Sequence, residues 1–82
     1  MEKFYFTFGT SEQFPYRGGW VEVIAPDCST AVKTFQAKYP DVHEGIVNCA
    51  DIYTVAQFES SGMSSGNRGS FCHEILSYKE EL

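Results

Sequence analysis

Phe4, Phe6 and Phe8 alternate with Tyr5 and Thr7, and this period of two, carried by large aromatic side chains, commits the start of the chain to a β-strand with one strongly apolar face. That strand is expected over about residues 3–9. A face of this kind cannot stay in water, so a helix or a second sheet has to cover it. With 82 residues, 43% of them hydrophobic and 16% aromatic, the chain can build one small core and not two. One domain spanning residues 1–82 is expected.

The rest of the chain supplies candidate partners for that strand. Gly9 to Gly19, with Pro15 and the pair Gly18-Gly19, is too long for a tight hairpin and leads into a second strand over residues 20–24. Val21, Val23 and Ala25 share one face of it. Trp20, Glu22 and Ile24 form the other, too apolar to be simply solvated and expected to lie under the preceding loop or a partner. Asp27 is a good N-cap for a helix over residues 28–39, in which Cys28, Ala31 or Val32, Phe35 and Tyr39 recur on one side before Pro40 stops it. Residues 46–53 read as a third strand with two partly apolar faces, as suits a central position. Thr54 and Gln57 have the form of a capping box, which predicts a short helix over residues 55–61 anchored by Val55 and Phe58; a last strand over residues 71–78 follows. The order β-β-α-β-α-β predicts an α+β fold, a small single-sheet sandwich with its main helix packed on one face. The second and third strands are expected to run parallel with the first between them.

Charge and cysteine content narrow the function classes. Six basic and eleven acidic residues give a net charge of −5, which argues against direct nucleic-acid binding, where clustered Lys and Arg provide most of the affinity. A basic partner fits better. No apolar run approaches the roughly 18 residues needed to cross a bilayer, and no leader-like segment opens the sequence, so the chain is read as soluble and cytoplasmic. Cys28, Cys49 and Cys72 are too widely spaced for a disulfide framework and are read as reduced thiols filling core positions.

Four constellations could carry chemistry. Cys72-His73-Glu74 offers a thiol, a base and a carboxylate, but neighbours on a strand point to opposite faces, so a regular strand keeps Cys72 and His73 apart. A metal set drawn from Cys28, His43, Cys49, Cys72 and His73 lacks the close ligand pairs of structural zinc. No catalytic residue, metal or cofactor is therefore expected. The tract from Ser60 to Ser70 is mostly small and polar, and its three glycines, Ser65, Asn67 and Arg68 suit a nest that grips an anion or a partner; the alternative is a solvated connector. The segment from Gln13 to Trp20 places Phe14, Tyr16, Arg17 and Trp20 within eight residues, a mixture typical of interface hot spots, unless Phe14 and Trp20 fold back as core. Asn48, polar within an apolar run, is read as a hydrogen-bonding structural residue.

Phe6-Thr7-Phe8-Gly9, Gln13-Phe14-Pro15-Tyr16, Tyr39-Pro40-Asp41, Gly45-Ile46-Val47-Asn48-Cys49-Ala50 and Cys72-His73-Glu74 resemble phrases found in small prophage and mobile-element proteins of Firmicutes. The resemblance covers most of the chain and carries no activity residue by residue. It implies a context in which small acidic proteins often inhibit host defence. The resulting expectation is a non-enzymatic inhibitor that occupies a surface of a host defence protein, such as a nucleic-acid-binding effector. The alternatives are sequestration of a nucleotide-derived immune signal, with aromatics stacking on its base, and a small cysteine-dependent enzyme.

Overall fold

The computed structural model describes residues 1–9, 14–42, 45–61 and 72–78. Its elements are β1 (Glu2–Thr7), β2 (Trp20–Ala25), α1 (Cys28–Lys38), β3 (Asp51–Thr54), α2 (Val55–Ser61) and β4 (Cys72–Ser77). The strands form a four-stranded mixed sheet in the order β3-β1-β2-β4. β1 pairs antiparallel with both β2 and β3, so β2 and β3 run parallel with β1 between them. β4 lies outside β2 and parallel to it.

Strand alternation divides the sheet into two faces. Phe4, Phe6, Val21 and Val23 point to one side and are joined there by Phe8, Ala25 and, from α1, Ala31 and Phe35, all buried. Phe35 lies flat on Phe6, with ring centroids 4.4 Å apart. Asp27 starts α1 by accepting the Thr30 N–H at 2.7 Å, and the N–H of Tyr39 donates to Phe35 O at 2.8 Å before Pro40 ends the element. Bonding to Thr30 holds the Asp27 carboxyl below its ordinary range.

Where the sequence suggests the preceding loop or a partner, part of the opposite face is covered by α2. α2 packs there through its one buried side chain, Phe58, whose ring stacks on Tyr5 at 3.9 Å and meets Trp20 edge-on at 4.8 Å. The capping box forms: Thr54 N–H donates to Gln57 Oε1 at 2.9 Å and Gln57 N–H to Thr54 Oγ1 at 3.3 Å. The two helices thus lie on opposite faces of one sheet.

Two further expectations need correction. Residues 46–50 do not extend the third strand, because Cys49 N–H turns back to Val47 O at 2.8 Å and regular pairing with β1 begins only where Ala50 N–H meets Thr7 O. That turn lets Val47, Cys49 and Ile52 all pack against the core, which a continuous strand could not do, since residues 49 and 52 would face opposite sides. The cysteines are not uniformly core residues either, for Cys28 and Cys72 are exposed and Cys49 is half-buried. Cys28 is the first residue of α1, ahead of the turn that meets the sheet, and Cys72 opens the outermost strand. Asn48 does play the structural part expected, its Nδ2 donating to Pro40 O at 3.4 Å.

Candidate binding site

The segment from Phe14 to Trp20 is divided between the two faces. Gly18 and Gly19 both have φ of 71°, the left-handed region glycine enters without penalty, and this lets Gly18 N–H return to Gly9 O at 3.0 Å and close the connection onto β2. Phe14 is half-buried and packs against the α1-side core. Tyr16 lies flat on the His73 imidazole at 3.9 Å and edge-on to Phe8 at 5.4 Å, also on the α1 side. Arg17 is exposed. Trp20 shares the face of Thr7 and meets Phe58 of α2. Tyr16 and Trp20 are therefore not members of one patch. Ser65, Asn67 and Arg68, with most of the Ser60 to Ser70 tract, lie outside the described residues.

A β-bulge builds a cluster that the sequence did not announce. Trp20 pairs with Cys72 but Val21 pairs with Glu74, so His73 is an extra residue in β4. His73 and Glu74, adjacent in sequence, consequently both engage groups on the α1 side. The imidazole Nε2 meets Gly18 O at 2.8 Å, which selects the tautomer protonated on that nitrogen. Tyr39 donates its hydroxyl to Glu74 Oε2 at 2.5 Å, leaving the Tyr16 hydroxyl as donor to Tyr39 at 3.1 Å. The Lys38 ammonium pairs with the second carboxylate oxygen. Lys38, and then Tyr39, hold the Glu74 carboxyl below its ordinary range. Burial, with Glu74 and Tyr16 adding to it, holds the Tyr39 phenol far above its own. At neutral pH Tyr39 is thus a neutral donor and Glu74 an anion with both oxygens engaged. The arrangement clamps the 14–20 segment to β4 and α1.

The thiols do not assemble a nucleophile with His73. Cys72 pairs with Trp20 and belongs to the α2 side, its Sγ directed at Glu74 O at 3.4 Å, while His73 stacks on the other side. Burial, reinforced by Asp51 and Asp41, pushes the Cys49 thiol up to about 12, so it stays protonated and unreactive at neutral pH. Among the described residues no group of three His, Cys, Asp or Glu could hold a metal, and His43 lies outside them. Among the same residues no helix is long and apolar enough to cross a membrane.

Among the described residues, the outer half of the α2 face keeps apolar side chains partly open to solvent. α2 packs over β1 and β3, so Trp20, Glu22 and Ile24 of β2 remain half-buried and Ile75 of β4 is 61% exposed. Ile75 pairs with Glu22 in the parallel ladder and shares its face. No family model matches the chain, and neither a curated protein nor a solved structure is similar to it.

Proposed function

We propose that this chain is a non-enzymatic binding protein that inhibits a bacterial defence system by occupying the surface of an effector. The observation that carries the reading is the strip formed by Trp20, Ile24 and Ile75, which is half-buried among the described residues except at Ile75, whose large apolar side chain stands in solvent beside Glu22 of an acidic molecule. Such a strip can cover an apolar contact rimmed by basic residues, as on an effector that handles nucleic acid. The mobile-element context rests on the resemblance of short phrases given above. A cysteine-dependent enzyme has less support, because thiol and imidazole fall on opposite faces. Sequestration of a nucleotide signal would draw on Arg17 and Arg68; Tyr16 offers it little, its ring already stacked on His73.

The test is phage plating on hosts carrying different defence systems, with and without the chain. Restored plaque formation on one such host, lost on Ile75→Asp substitution with folding intact, supports the reading. Equal counts on every host overturn it. A higher melting midpoint with a cyclic or ADP-ribose-type nucleotide would instead favour the sequestration reading.

A further inference from the structure

β4 is an edge strand, and one hydrogen bond fixes which way its backbone groups turn. Tyr78 N–H donates to Ile24 O at 2.8 Å. In a parallel ladder a bonding residue engages the residues on either side of its partner, and successive residues turn their N–H and C=O groups to opposite sides of the strand. Ile24 pairs with Ser77, so Leu76 and Tyr78 turn toward β2 while Ile75 and Ser77 turn outward. Among the described residues no strand lies on that outer side. β4 also carries neither proline nor lysine, the residues that commonly guard an edge against pairing.

The side chains of the α2 face run in rows across the sheet. One row is Tyr5, Glu22 and Ile75, and the next is Lys3, Ile24 and Ser77. At the edge the first ends in a large apolar side chain and the second in a small hydroxyl, both exposed. The two rows carry opposite charges, at Glu22 and at Lys3.

We infer that two copies of this chain join their β4 strands antiparallel, about a two-fold axis at Leu76, into one continuous sheet. Such an axis stands perpendicular to the sheet, so each residue opposes another of its own face and the axis falls on a residue. An axis at Glu74 sets two carboxylates against each other. An axis at Ile75 abuts the two Glu22 rows and draws the bulged His73 into the new ladder. An axis at Leu76 does neither. Ile75 then opposes Ser77 of the second copy, with N–H and C=O bonds exchanged both ways, and Glu74 opposes Tyr78. Each Tyr5-Glu22-Ile75 row runs on into Ser77, Ile24 and Lys3 of the second copy. The exposed isoleucine lies over a serine and reaches a second isoleucine, while a glutamate row meets a lysine row. The net charge of −5 on each copy opposes the union, and salt relieves it. This goes beyond the binding reading above, for the unit that meets an effector becomes a pair of copies with Trp20 and Ile24 of both on one face.

The experiment is sedimentation of the full chain from about 10 μM to about 1 mM, with amide exchange and mixed-isotope NMR on the same samples. The dimer fraction should grow with concentration and, at fixed concentration, with salt between about 50 mM and about 500 mM. The Ile75 and Ser77 amides should slow by about tenfold or more across the series, while that of Leu76, turned toward β2, exchanges slowly throughout. Contacts between copies should join Ile75 to Ser77. Ser77→Pro removes an outward N–H and leaves the bonds to β2 in place, so it should keep the melting midpoint and stay monomeric. A monomer at the top of the range overturns the inference, as does a folded Ser77→Pro variant that still dimerises or a contact joining Ile75 to Ile75. Slow exchange of Ile75 and Ser77 in the dilute monomer also overturns it, because the edge is then already occupied within one copy. A chain that stays monomeric and still restores plaques would remove the pairing and leave the functional reading standing.

Discussion

Replacing Phe58 with alanine removes the side chain that fastens α2 to the sheet. α2 has seven residues, too few to hold a helical conformation alone, and Phe58 is its one buried residue. Burying a phenylalanine is worth roughly 1.5–3 kcal/mol, and each aromatic pair adds about 0.5–1.5 kcal/mol beyond area. Phe58 makes two such pairs, with Tyr5 and Trp20. The sum lies near the roughly 3–5 kcal/mol usual for Phe→Ala in a core. At about 0.05–0.15 kcal/mol per residue, 82 residues give a total stability of roughly 4–12 kcal/mol, so this one change removes a large share of it. Urea unfolding followed by the emission of Trp20, the single tryptophan and a direct contact of Phe58, is the assay. The Phe58→Leu variant, which keeps most of the volume, should lose less than about 1.5 kcal/mol. A loss below about 1 kcal/mol for Phe58→Ala, with Trp20 emission unchanged, would refute the idea that this ring anchors α2.

Other perturbations test the remaining contacts. Glu74 has a folded-state pKa below its unfolded value of about 4.3, so its contribution is present above that pH and disappears as pH falls; a Glu74→Gln variant should show a shallower loss of stability between about pH 5 and 3. Tyr39 is displaced upward, so its contribution is full below about pH 10 and is lost on further rise; comparing Tyr39→Phe with the parent by denaturant melts should show a flatter alkaline limb for the variant. Among the thiols, Cys28 and Cys72 should react promptly with a disulfide reagent at neutral pH and Cys49 only after denaturation; fast labelling of Cys49 in the folded chain would contradict its burial. Gly18→Ala should cost roughly 1–2 kcal/mol in thermal melts, entirely from its φ of 71°, because an added Cβ would meet no atom within 4 Å.

Much of the architecture was legible because local chemistry and global fold agree. Alternation in Phe4 to Phe8 named both the strand and its buried face, and Asp27, Thr54 and Gln57 marked helix starts that form the expected bonds. What stayed hidden depends on backbone geometry that residue types do not encode. The apolar run over residues 46–50 imitates a strand, although the backbone turns at Val47 and Cys49. The bulge at His73 has no glycine or proline to advertise it, so the cluster with Tyr16, Tyr39 and Glu74 could not be assembled from sequence spacing. The placement of α2 opposite α1 follows from which side Phe58 finds Tyr5, a tertiary outcome. For the candidate site, sequence reasoning noticed Tyr16 and Trp20 as neighbours along the chain and missed that a sheet separates them.

The extra residue in β4 keeps two jobs separate. Excising the codon for His73 would leave Cys72 opposite Trp20 and the glutamate opposite Val21, so every ladder partnership between the two strands survives. The imidazole that holds Tyr16 and the Gly18 carbonyl would be gone. An inframe deletion of the smallest possible size could therefore unfasten the aromatic excursion while the scaffold beneath it stays in step.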